Sequence, residues 1–156
     1  RRAEEATRVS EARLRVLVEH APASIALFDS DHVDHRRVRQ WLDSEIVHGW
    51  ASCAITQNGF IRIVSQPRYP SPVTPTQAIE RLTHATDTVH HEYWPCSISL
   101  LDTKLFDHSK LHGHRQVTDA YLLALATANK ARFVTLDQSI ALTAVRHAGP
   151  QHLTVI

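Results

Sequence analysis

The chain has 156 residues, 43% apolar and 21% charged, which is enough for one domain with a sizeable core. Seventeen Lys and Arg against sixteen Asp and Glu leave a formal charge of +1, so a polyanion-binding tail is excluded and any nucleic-acid site has to be local. No apolar run approaches the roughly 18 residues of a membrane span, and residues 1–20 are charged where a signal peptide is apolar; a cytoplasmic protein with no membrane contact is expected.

Residues 1–13 carry helix formers and i,i+4 pairs but little apolar periodicity, and read as a solvated N-terminal extension to a domain spanning 14–156. Leu14–Val18 is a β-prone run. After Pro22 an apolar stretch leads into Asp29, Asp31 and Asp34, residue types that suit helix N-caps. Val38, Trp41, Leu42 and Ile46 then recur at helical spacing, and Gly49 ends that helix. Trp50–Ile55 is a strand of the kind buried on both faces, and Thr56 is read as the cap of a helix running through Phe60, Ile63 and Val64. Three prolines within Gln66–Pro72 exclude regular structure. Thr74-Pro75 opens a helix whose apolar face is Ala78, Ile79, Leu82 and Ala85. Tyr93–Leu101 reads as a strand, Lys104–Gln116 as a His-rich loop, Thr118–Asn129 as a helix and Arg132–Leu136 as a strand. Ile140–Val145 reads as a short helix, and His152–Ile156 as a final strand. Alternating strands and helices predict an α/β domain with a mainly parallel sheet.

In such a sheet ligands gather beyond the carboxyl ends of the strands, which singles out Glu19-His20, Gln57, Asp119 and Asp137. Asp119 and Asp137 are the best acids. Taken alone, the first reads as a first-turn helix residue and the second as a turn residue. Taken together they would repel by about 4 kcal/mol at 4 Å and an effective dielectric of 20, so they call for a shared proton or an oxygen-loving cation such as Mg²⁺ or Mn²⁺. His108, His112 and His114 raise a zinc alternative, although Ser109, Lys110 and Gly113 give that segment little helical drive. Cys53 and Cys96 form no C-x-x-C, and no nucleophile elbow, dinucleotide fingerprint or P-loop is present.

The segments 26–42, 50–70 and 113–140, and most specifically Gln116-Val-Thr-Asp-Ala-Tyr-Leu-Leu-Ala-Leu, resemble PIN-domain ribonucleases of the VapC toxin type. The resemblance implies a three-layer α/β/α sandwich that gathers acidic side chains around Mg²⁺, or Mn²⁺, and hydrolyses RNA phosphodiester bonds. It also implies a cognate VapB-type antitoxin, with a homodimer and the antitoxin helix using apolar residues around Phe28, Val38, Trp41 and Phe60–Val64. Carried over by position, Asp119 and Asp137 are metal-binding acids, and Gln57 fills a slot that many relatives give to Glu. Nine residues before Asp29, where the leading acid belongs, stands His20, with Glu19 beside it as the substitute ligand. His114 and Arg115, just ahead of Asp119, are candidate RNA contacts. With fewer acids than the pattern holds, the alternative is a weakened or inactive PIN-fold protein that works through antitoxin binding and dimerisation.

Overall fold

The computed structural model describes residues 16–18 and 26–156. The reading of residues 1–13 and the candidates Glu19 and His20 lie outside the described residues. Among the described residues five strands, β1 (Val16–Val18), β2 (Trp50–Cys53), β3 (His91–Trp94), β4 (Arg132–Thr135) and β5 (Leu153–Val155), form one sheet in the order β3-β2-β1-β4-β5. Every pairing is parallel. The chain moves from β1 outward through β2 and β3, then returns to place β4 on the other side of β1. The strand order therefore reverses between β1 and β4, and the crevice at their carboxyl ends is where an open α/β sheet accepts ligands.

Alternation along the strands sorts the helices into two layers. Ala51 and Cys53 of β2, Trp94 of β3 and Phe133 of β4 join a core with Ala120 and Leu122–Ala126 of α4 (Gln116–Ala128). The opposite face receives α1 (His35–Glu45), α2 (Ala54–Val64) and α3 (Pro75–Thr86). There Trp50 and Ser52 meet Leu42, Phe60 and Leu82, while Phe60, Val64, Ala78 and Leu82 form a second core. Glu45 at the end of α1 binds Arg132 of β4 at 2.8 Å, fastening that layer to the sheet. This is the expected three-layer sandwich. No helix among the described residues is long and apolar enough to cross a membrane.

Several local expectations change. Asp34 takes the N-cap position of α1, but its carboxylate accepts from Arg37 at 2.7 Å instead of capping the helix. Asp29 accepts from the Asp31 N–H and from the Tyr69 hydroxyl. α2 begins at Ala54, so Thr56 is its third residue; the Thr56 hydroxyl reaches back to accept from the Cys53 N–H at 2.9 Å. β3 occupies His91–Trp94 and not Tyr93–Leu101. As an edge strand it exposes Glu92 and Tyr93 and so has no apolar signature. Beyond it Pro95 has no N–H for the ladder, and Ile98 and Leu100 pack on the core from a loop. The expected helix at Ile140–Val145 is one 3-10 turn at Leu142–Ala144, because Val145 forms an antiparallel bridge with Phe106 and Arg146 donates to the Leu105 carbonyl. Of the apolar residues assigned to a dimer or antitoxin face, Val38, Phe60 and Val64 are buried in the chain's own cores. Phe28, Trp41, Ile61 and Ile63 are half-buried.

Candidate active site

Asp119 stands in the first turn of α4, where the helix dipole favours a negative side chain. Leu122 and Leu123 hold the inner side of α4 in the core, so the helix carries Asp119 to the carboxyl edge of the sheet half-buried. Its Oδ1 is shielded from solvent and has no hydrogen-bond partner among the described residues. Burial, and then the charge of Asp137, push its carboxyl up to about 6.

Asp137 follows β4. Its N–H donates to Thr135 Oγ1 at 2.9 Å, and its Oδ1 accepts from the Ser139 N–H at 2.7 Å and the Ser139 hydroxyl at 2.6 Å. Those two bonds favour the ionised form and hold Asp137 below the usual carboxylate range. The two acids identified from sequence thus lie close enough for one to act on the other, with opposite proton affinities. Ser139 was missed by sequence reasoning, although Asp-x-Ser is the spacing at which a serine closes onto an aspartate two residues earlier.

The other candidates are more dispersed. Gln57 lies in the second turn of α2, and its Nε2 donates to Ser52 Oγ at 2.9 Å on the face of the sheet opposite the α4 core. His114 is exposed in the preceding loop and Arg115 is exposed at the N-cap of α4, four residues before Asp119. Between the starts of α2 and α4 runs an open cleft of about 540 Å³ lined by Ala54, Ile55, Asn58, Gly59, Arg62 and Thr118. Thr118, the one residue of α4 in this lining, immediately precedes Asp119 in the chain. Arg62 forms no ion pair among the described residues, whereas Arg37 and Arg39 are bound to Asp34 and Asp43.

The zinc alternative does not form. His108–Lys110 is a 3-10 turn, so His108 and His112 do not share a helix face, and His108 Nε2 meets the Leu100 carbonyl at 2.8 Å. Among the described residues no three His, Cys, Asp or Glu side chains converge as a metal site. Asp119 and Asp137 nevertheless suit a hard cation. A buried carboxylate oxygen without a donor, beside a second carboxylate kept ionised, is a charge arrangement that a divalent ion relieves.

The PIN domain family matches residues 23–146. Ribonuclease VapC44 of Mycobacterium tuberculosis (strain H37Rv) is 61% identical over 132 residues, covering 85% of this chain and 93% of the relative. Ribonuclease VapC38 of the same strain is 34% identical over 136 residues, covering 86% and 94%. Ribonuclease VapC39 is 35% identical over 118 residues, covering 75% and 85%.

Proposed function

We propose, from the premise that the chain belongs to the PIN-domain family of VapC ribonucleases, that Asp119 and Asp137 hold a divalent cation, Mg²⁺ or Mn²⁺, at which RNA phosphodiester bonds are hydrolysed. The observation that carries this reading is the partnerless, buried Oδ1 of Asp119 next to the ionised Asp137. A bound cation of this kind neutralises charge on the phosphate and lowers the pKa of a water. Asp137, fixed by Ser139, supplies a carboxylate of set orientation. Asp119, whose carboxyl burial and the Asp137 charge push up in the absence of a cation, supplies the second charge when the cation displaces its proton. Glu19 is the third carboxylate in this reading, and Gln57 contributes a neutral amide at the same edge. The RNA backbone follows the cleft past Arg62 and Asn58, with Arg115 and His114 contacting it beyond Thr118.

The chain acts as the toxin of a cytoplasmic toxin–antitoxin pair, restrained by a VapB-type antitoxin. Of the residues assigned to that face, Phe28, Trp41, Ile61 and Ile63 keep part of their surface for the antitoxin and for a homodimer. A monomer in light scattering at tens of micromolar would remove the dimer from this reading. The deciding assay is cleavage of a structured RNA with Mg²⁺, with Mn²⁺ and with EDTA. Cleavage is expected with either ion, none with EDTA, and a loss of a hundredfold or more in Asp119→Asn. One observation favours a second reading: Gln57, in the slot that the resemblance gives to Glu, is uncharged. Failure to cleave with every divalent ion would select the non-cleaving, antitoxin-binding protein.

A further inference from the structure

Two segments that flank the acid pair in sequence are free of carboxylates. Residues 108–118, which lead into Asp119, and residues 138–149, which follow Asp137, contain no Asp or Glu, and they carry Lys110, Arg115 and Arg146. The fold stitches these segments together at their far ends. Phe106 and Val145 form the antiparallel bridge, the Asp107 N–H donates to the Ala144 carbonyl at 3.0 Å, and the Arg146 N–H to the Leu105 carbonyl at 2.9 Å. At this seam lies an open cleft of about 400 Å³, lined by Asp107, Lys110 and Arg146 and by the apolar Leu142, Val145 and Ala148.

Arg146 is the oriented cation of this cleft. Its Nε donates to the Thr103 carbonyl at 2.7 Å, which fixes the guanidinium and leaves the terminal N–H groups, the fork that matches a phosphate. Asp107 is the one carboxylate in the lining, and its Oδ1 accepts from the Ser109 N–H at 3.2 Å and the Ser109 hydroxyl at 2.6 Å. Lys110 and Arg146 act on Asp107 through space and form no ion pair among the described residues. Two cations against one engaged carboxylate leave the cleft positive, and its apolar lining offers surface that the face of a base can cover. A phosphate joined to an unstacked nucleotide has the matching chemistry.

The cleft is within reach of the acid pair. Leu142 follows Asp137 by five residues, so their Cα atoms are at most about 18 Å apart, the rise of about five stacked nucleotides. The Leu142–Ala144 turn also packs through Ala144 into the core built on α4, the helix that carries Asp119. We propose that this cleft is a flanking subsite for the RNA strand: Arg146 clamps a backbone phosphate, Lys110 supplies a second positive charge, and the strand reaches the acid pair along residues 108–118 past Arg115. A polyanion on that path meets cations and no carboxylate until Asp119 and Asp137, where a divalent ion reconciles the charges. The strand's destination rests on the ribonuclease reading above, while RNA binding in the cleft is measured separately.

The experiment uses the full chain and two readouts. Binding of a single-stranded RNA of about 12 nucleotides to the slow-cleaving Asp119→Asn variant is followed by fluorescence anisotropy across salt, and KM is measured with Asp119 intact on that RNA and on RNAs shortened from either end. Lys110→Ala and Arg146→Ala are each expected to take about 0.7 from the log–log salt slope. Arg146→Ala is expected to raise KM about five- to tenfold on the long RNA, with kcat within about twofold, and to leave KM unchanged on an RNA too short to reach the cleft. Because Arg146 also holds Thr103, Arg146→Lys serves as the folding control and is expected to keep most of the slope. A slope or a long-RNA KM unmoved in the Lys110→Ala, Arg146→Ala double variant overturns the subsite. So does a KM that rises equally on long and short RNAs, the mark of a general loss of structure. A wild type that cleaves RNA with no divalent ion present, or with none supplied at all, overturns the ribonuclease reading alone, and the salt slope in Asp119→Asn then decides the subsite.

Discussion

Asp119 and Asp137 sit together with opposite affinities for a proton: burial and the neighbouring charge raise the first to about 6, and Ser139 lowers the second. Asp119 is therefore a stability cost that the fold carries for its site. A carboxyl raised above its unfolded value of 3.8 contributes stability that is full below pH 3.8 and lost as pH rises through 6. Asp119→Asn keeps the shape and removes the charge. In EDTA at pH 8 it is expected to be more stable than wild type by about 1–2 kcal/mol, a figure reduced from the full linkage value because the group is half exposed. Thermal melts should show a gain of roughly 2–8 °C at pH 8, shrinking to nothing below pH 4. A variant less stable than wild type at pH 8 would show that the Asp119 charge is already compensated within the protein.

Arg62 lines the cleft that Thr118 also lines and is bound to no carboxylate among the described residues. Arg62→Ala is expected to raise KM for RNA about five- to tenfold with kcat within about twofold, the pattern expected if it contacts the RNA backbone and not the reacting phosphate. Binding isotherms across salt should lose about 0.7 of the log–log slope, the share of one phosphate contact on single strands. An unchanged slope would take Arg62 off the RNA path.

The end of α4 offers a test of the fold alone. Lys130 N–H reaches the Thr127 carbonyl at 3.0 Å and Ala131 N–H the Ala126 carbonyl at 2.9 Å, a Schellman closure. Lys130 at its centre has φ of 53°, a conformation that suits glycine. Lys130→Gly should stabilise the protein by about 0.5–1 kcal/mol, the relief of the left-handed strain less the added unfolded-state entropy. Chemical denaturation should show a higher midpoint at unchanged slope. A lower midpoint would mean that the Lys130 side chain contributes more than its backbone strain costs.

Much of this arrangement was legible because single residues announce it. Gly49 marks the end of the first helical region and adopts φ of 91°, and the Thr74–Gln77 capping box opens α3 where Thr74-Pro75 says it should. Asp119 and Asp137 could be named from the ends of their elements. What stayed hidden depends on tertiary contact. β3 is an edge strand held by pairing with β2 and so lacks the alternation that identifies strands. Val145 closes a segment with the composition of a short helix but is pulled straight by Phe106. Gln57 reads as a neutral stand-in for an acid, and nothing near it in the sequence reveals Ser52 and His91, because His91 is 34 positions away and arrives only through the β2–β3 register, which pairs Ser52 with Tyr93 and Trp50 with His91.

The charge count of the site leads to the final expectation. Asp119 and Asp137 bring two carboxylates, Gln57 brings none, Glu19 is at most a third, and His20 stands where the resemblance expects the leading acid. Affinity for a divalent ion grows with the number of carboxylates that share it, because each offsets part of the cost of stripping water from the cation. The wild type is therefore expected to cleave RNA slowly, and His20→Asp, which restores an acid where the PIN pattern places one, to cleave faster by about tenfold or more, with a lower Mg²⁺ concentration at half-maximal rate. Rates compared at matched folding with titrated Mg²⁺ and Mn²⁺ measure this directly. A wild type already as fast as His20→Asp would mean that Glu19 supplies the leading carboxylate in full. A His20→Asp variant that gains metal affinity but no rate would mean that the ion then sits away from the scissile phosphate, so that charge was lacking for binding and geometry for catalysis.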